Sequence, residues 1–196
     1  KRYVQGGGCT TVGVAGLVQS GGFGSFSRGF GTAAAHLLEA EVVTADGRVR
    51  IVNPRRDPDL FWALKGGGGG TFGVVTRVTL RTHDLPASFG SVTASITATS
   101  AAAFLDLVSR LMDVCATSLV NPHWGETVSL QPAYRLKIGM VSQGLTREQM
   151  REVWQPFWDW IAAHPGTYTV EQPPAIATRP AATWWDMEER RNHDPA

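Results

Sequence analysis

Cysteine is scarce in this chain: Cys9 and Cys115 are the only two among 196 residues. Two thiols do not make a disulfide framework. They can pair, but nothing in the sequence demands it, and the redox compartment is not legible. No apolar run is long enough to cross a bilayer as a helix. The formal net charge is only +1, so neither nucleic acid nor a membrane surface is expected as a partner. The five histidines (His36, His83, His123, His164 and His193) are dispersed. Their spacing to one another and to cysteine is not that of a metal site, and no metal is expected. There is no Gly-Lys-Ser/Thr phosphate loop, no Ser-His-Asp set and no paired-carboxylate site. The chain opens without an initiator Met or a secretory pattern. Its 43% hydrophobic content is ordinary for a globular protein of one domain or one and a half.

Glycine, by contrast, is plentiful. Ten of the 22 glycines lie at positions 6, 7, 8, 13, 16, 21, 22, 24, 29 and 31. Such density is costly, because glycine loses more chain entropy on folding than any other residue. It fits backbone that turns sharply or presses against something that leaves no room for a Cβ. Successive N–H groups in such runs form concavities suited to an anion such as a pyrophosphate. A flexible linker would be poor in apolar residues. Here Val12, Val14, Leu17, Val18, Phe23, Phe26 and Phe30 are threaded through the glycines. The stretch reads as a packed loop system facing a ligand.

Along the rest of the chain, Leu38 to Thr44 and Val49 to Val52 read as two strands around an Asp46-Gly47 turn. Asp57 to Leu64 reads as a short helix, capped by Asp57, with Pro58 at its first position and Gly66 past its end. Gly68, Gly70 and Gly73 match a dinucleotide G-x-G-x-x-G pattern, but that fingerprint follows a strand and opens a helix. Here a helix precedes it and the strand Val74 to Arg81 follows, so a Rossmann reading is rejected.

Pro86 marks a boundary. Beyond it, Ser91 to Thr99 alternates as a half-buried strand. Ser100 caps a helix to about Cys115 whose apolar face is Phe104, Leu105, Leu107, Val108, Leu111 and Met112. Strands follow near Thr127 to Gln131 and Tyr134 to Ser142. Thr146 and Gln149 form a capping box for a second helix, which Pro156 should kink or divide. The tryptophans at 154, 158 and 160 are read as core rather than as a stacking platform for a ring substrate. Tyr168 to Val170 adds a strand, Pro173 to Pro180 reads as irregular, and the charged tail after Trp185 is expected to be poorly ordered in isolation. The rhythm of strands and helices predicts an α+β layer with the helices on one sheet face.

Three segments carry a family resemblance. They are Gly-Gly-x-Cys-x-Thr-Val-Gly-Val-x-Gly with the following Gly-Gly-Phe-Gly-x-x-Ser-Arg-x-x-Gly, then Glu41 to Gly47, then Asp57 to Thr76 with its Leu-Phe-Trp-Ala helix and glycine-rich turn. In this order they resemble the flavin-binding domain of the vanillyl-alcohol-oxidase superfamily, a PCMH-type FAD-binding domain, and its berberine-bridge-enzyme-like branch in particular. The resemblance implies an α+β chain. Residues 1–85 would be the second half of the FAD-binding domain, and residues 86–196 part of a substrate domain with an antiparallel sheet.

The resemblance further implies an FAD-dependent oxidase that passes hydride from a substrate alcohol, sugar or amine C–H to flavin N5, with dioxygen as reoxidant. Its partners would be a small-molecule substrate and the remainder of the same polypeptide or a companion fragment, which would carry the catalytic base. The expected cofactor-binding residues are Cys9, Thr10, Thr11, Val12, Gly13, Gly16, Leu17, Gly21, Gly22, Gly24, Ser27, His36 and Val42. In bicovalent members the cysteine at the place of Cys9 bonds to C6 of the isoalloxazine. The alternative for Cys9 is a small buried apolar residue, and Arg28 is open between a phosphate contact and a surface position. Leu17 stands where some members have a flavin-contacting histidine, Ser20 replaces a glycine, and Ala35-His36 stands where Asp-Asn is common. These departures favour the alternative of a non-catalytic binding protein on the same fold. A truncated inactive fragment is the other alternative.

Overall fold

The computed structural model describes residues 1–7, 11–125 and 127–184. The chain forms two compact units, Lys1–Asp84 and Leu85–Ala196.

The first unit runs β1 (Arg2–Tyr3), α1 (Val14–Gln19), α2 (Ser27–Phe30), a 3₁₀ turn at Ala34–His36, β2 (Leu37–Val43), β3 (Val49–Val52), α3 (Pro58–Leu64), β4 (Val74–Leu80) and β5 (His83–Asp84). β2 is the centre of an antiparallel sheet in the order β3-β2-β4, and β1 pairs with β5. Ala40 and Val42 of β2 point into a core with Val18, Ala33, Leu37, Val52, Phe61 and Leu64. The glycine-rich stretch therefore holds two short helices as well as loops. Leu17 and Val18 explain the first, since they follow Val14 at i+3 and i+4 and give α1 a side to lay on this core.

The expected Asp57 cap is not made. Asp57 sits in the left-handed region (φ 49°, ψ 55°) with no side-chain cap bond. Its carboxylate lies 3.7 Å from Arg50 instead, so the ion pair with β3 takes the group that a cap would have used.

The second unit runs β6 (Ser88–Ala98), α4 (Ala101–Val114), a π-helical turn at Cys115–Leu119, β7 (Trp124–Gly125), β8 (Val128–Gln131), β9 (Arg135–Gln143), α5 (Arg147–Ala162), β10 (Tyr168–Pro180) and α6 (Ala181–Trp184). The sheet order is β10-β6-β9-β7, with β8 also on β9. Val92, Ala94 and Ile96 stand opposite Met140, Ile138 and Leu136. That face meets Leu107, Leu111, Met150, Trp154 and Phe157, so α4 and α5 cover the same side of the sheet. Ser100 Oγ accepts from the Ala103 N–H, and both bonds of the Thr146–Gln149 capping box form.

Three sequence expectations give way here. The buried face of α4 is Ala103, Leu107, Leu111 and Val114, while Leu105 and Met112 are exposed; a single 3.6-residue stripe cannot bury both flanks of the apolar run. α5 passes through Pro156 undivided. Met150 and Trp154 on one side of the proline and Phe157 and Ile161 on the other are all buried, and this packing outweighs the lost backbone bond. Residues 173–180 are strand rather than irregular. They pair with β6 after register shifts between Val170 and Gln172 and between Gln172 and Ala175, as suits prolines on an edge strand. The tail after Trp184 lies outside the described residues. Replacing Pro156 with alanine restores a donor inside a well-packed helix, and the melting temperature of the variant is expected to rise.

Candidate functional site

The glycine-rich segment is held from three directions. The Gly68 N–H donates to Gln19 C=O at 2.8 Å, tying the end of α1 to the glycine turn after α3. Ala33 and Ala34 donate to Gly22 and Gly21 C=O at 2.8 and 3.1 Å. Gly24 N–H donates to Ser27 Oγ at 2.9 Å, which closes the entry to α2. Gly22 has φ +70°, and a Cβ there would collide with the Ala33 side chain, so only glycine suits it.

The glycines differ in what lies above them. A Cβ on Gly24 would meet the Gly6 carbonyl and Gln5, so that position is packed shut. Among the described residues, a Cβ on Gly13, Gly16 or Gly21 would meet nothing within 4 Å. These three peptide units face open space. Exposed apolar side chains flank them: Val12 is 56% exposed, Val14 50% and Phe23 77%. Bare backbone beside uncovered apolar side chains is the surface a planar, mostly apolar ligand with a polar edge requires.

Of the expected site residues, Thr11, Val12, Gly13, Gly16, Leu17, Gly21, Gly22 and Gly24 fall on this one stretch around α1 and the turn behind it. Leu17 is half-buried and leans on the core. Ser27 opens α2 and bonds to Gly24. Two others are engaged inside the fold. His36 is 4% exposed, with Nδ1 2.8 Å from Thr32 C=O. Val42 is fully buried in the central strand, main chain and side chain alike, between Arg50 and Val75 of the flanking strands. Cys9 and Thr10 lie outside the described residues. Reading from sequence missed Tyr3 and Gln5, which are buried just ahead of the motif. The one available signal was the alternation Tyr3-Val4-Gln5, with Val4 exposed between them.

His36 and His83 meet edge to face at 4.7 Å, and Phe30 covers His83 at 4.6 Å. Desolvation, then the charges of His36, Arg81 and Arg2, hold the His83 imidazole below its ordinary pKa; Asp84 opposes them. The unfolded chain, with a histidine pKa near 6.5, thus binds this proton more readily than the folded one. Stability is full above about pH 6.5 and falls as the pH drops from there through the folded value. Melting temperatures measured across this range are expected to decline toward acid, and less steeply in a His83→Phe variant.

No protein-family model matches the chain. It is 56% identical over 87 residues to the FAD-linked oxidoreductase malF of Malbranchea aurantiaca, a match covering 43% of this chain and 15% of that protein. The VAO-type flavoprotein MtVAO615 from Myceliophthora thermophila C1 superposes with a TM-score of 0.76 at 32% identity, over 91% of this chain and 31% of its own. The glucooligosaccharide oxidase of Acremonium strictum, which carries a 6-S-cysteinyl, 8α-N1-histidyl FAD, shares the fold (TM-score 0.69, 22% identity, 93% of this chain and 37% of that one). This chain thus spans less than a third of malF and about a third of the solved structures. It belongs to the vanillyl-alcohol-oxidase superfamily of FAD-linked flavoproteins.

Proposed function

We propose that this chain is part of an FAD-dependent oxidase acting on a small-molecule alcohol, sugar or amine, with residues 1–85 on the cofactor side and residues 86–196 on the substrate side. The observation that carries this reading is the open backbone at Gly13, Gly16 and Gly21 beside Val12, Val14 and Phe23. A side chain at any of the three glycines would occupy the space a flavin ring needs, so the glycines fit the cofactor. FAD, when bound, supplies acceptance of a hydride at flavin N5, with dioxygen as the final oxidant.

The residues of this chain hold and orient. Thr11 to Leu17 offer peptide groups and short side chains to the ring, and the turn Gly21 to Gly24 sets the Ser27 hydroxyl as a donor toward the pyrophosphate side. Val42 and His36, both enclosed in the fold, support β2 from inside beneath the adenine side. Cys9, with Thr10 beside it, would hold the ring through a thioether in which the thiolate sulfur replaces a hydrogen on an electron-poor ring carbon, the proton going to solvent and the two electrons through the ring to dioxygen. The catalytic base belongs to another part of the polypeptide.

Acid precipitation of the intact gene product tests the covalent bond. The yellow colour is expected in the pellet, and colour left in the supernatant would count against attachment. Cys9→Ala is expected to shift the visible flavin spectrum; an unchanged spectrum would remove Cys9 from this role.

A further inference from the structure

Gln5 is 1% exposed and stands at the centre of a short polar chain. The Tyr3 hydroxyl donates to Gln5 Oε1 at 2.7 Å, and Gln5 Nε2 donates to Ser27 Oγ at 3.1 Å. Ser27 Oγ also accepts from the Gly24 N–H at 2.9 Å. A serine hydroxyl has two lone pairs and one proton. Both lone pairs are taken here, and the bonds among the described residues leave the proton unused. Ser27 is half-exposed, so that proton is accessible from outside the network.

The same residues fix a spacing. Gln5 and Gly6 precede Cys9 closely in the sequence, and the Gly6 carbonyl packs so tightly on Gly24 that no Cβ fits between them. Gln5 thereby ties the segment that follows β1 to the turn that leads into Ser27.

We propose that Gln5, braced by Tyr3, is a positioning residue: it makes Ser27 an obligate hydrogen-bond donor to an oxygen acceptor of the bound flavin dinucleotide. This inference rests on the flavin reading above. Without Gln5, the Ser27 hydroxyl can turn its proton inward and lose its single orientation. Glutamine suits the task because one amide supplies both the acceptor for Tyr3 and the donor for Ser27.

The test is FAD titration of the intact gene product carrying Cys9→Ala, which cannot form the cysteinyl bond, prepared free of flavin and read by quenching of flavin fluorescence. Ser27→Ala is expected to weaken binding roughly tenfold, the scale of one hydrogen bond to a charged or polar oxygen. Ser27→Thr, which keeps the hydroxyl, should bind as its Cys9→Ala parent does. Gln5→Leu should weaken binding to a similar degree, and the double variant Gln5→Leu/Ser27→Ala no further than Ser27→Ala alone, since Gln5 acts through Ser27. A purely structural role would instead lower the melting temperature and leave the affinity of folded molecules unchanged, which would overturn the proposal. Should Gln5→Leu fail to fold, the contrast between Ser27→Ala and Ser27→Thr decides: equal affinities refute it. If the natural protein itself binds no FAD, the flavin reading fails, and that outcome is distinct from unaltered binding by the variants.

Discussion

Replacing Gly16 with leucine is expected to leave the fold as stable as before, or more so, and to abolish flavin binding. Gly16 lies inside α1 and is exposed, and a Cβ added there meets nothing among the described residues. Glycine within a helix costs about 1 kcal/mol relative to alanine, and leucine is among the better helix formers. On the protein alone the substitution is therefore neutral or favourable. The new side chain instead fills the space above the bare peptide units, where the flavin ring is placed. Melting temperature and flavin content should move in opposite directions. Full flavin content in the variant would mean that this space is not the cofactor's. A loss of flavin together with a collapse of the fold would show that Gly16 is needed for packing.

Gly24→Ala tests the opposite kind of glycine. Its Cβ would strike the Gly6 carbonyl oxygen and lie 2.7 Å from Gln5 Nε2. The obstacle is backbone, which cannot rotate aside as a flexible side chain can. Overpacking of this sort costs about 1–3 kcal/mol, and more where neighbours cannot move. For a unit of this size each kcal/mol lowers the melting temperature by roughly 4–8 °C. The variant should lose stability and cofactor together, with the Gly6 segment pushed from its place beside Gly24. A variant as stable as the natural protein would contradict the close approach of these two segments.

The contrast between these glycines could not be drawn from sequence. Both look alike in a motif, and only the folded chain shows that one is roofed by a carbonyl and the other by none of the described residues. What sequence did carry was local. Ser100 and Thr146 are caps because a hydroxyl at the right offset serves the next free N–H, and both bonds form. The alternation of Val92, Ala94 and Ile96 announced a strand with one buried side, and the structure buries those residues.

The misreadings came from partners distant in sequence. Asp57 has the chemistry of a cap, yet Arg50 on a neighbouring strand claims its carboxylate. Pro173 and Pro174 look like strand breakers, but β10 lies at the edge of the described sheet and absorbs them within the register shift between Gln172 and Ala175. Pro156 looks like a helix breaker, but the core beneath α5 is apolar on both sides of it. Tyr3 and Gln5 went unread because the residue that gives them meaning, Ser27, is 22 positions beyond Gln5.

The central claim is that exposed peptide units around α1 and the turn behind it bear the flavin. Amide hydrogen exchange, compared between the flavin-loaded and flavin-free gene product, tests it most directly. The claim predicts slowed exchange concentrated in residues 11–24. Unchanged exchange there, with protection appearing only elsewhere in a protein that does bind flavin, would contradict it.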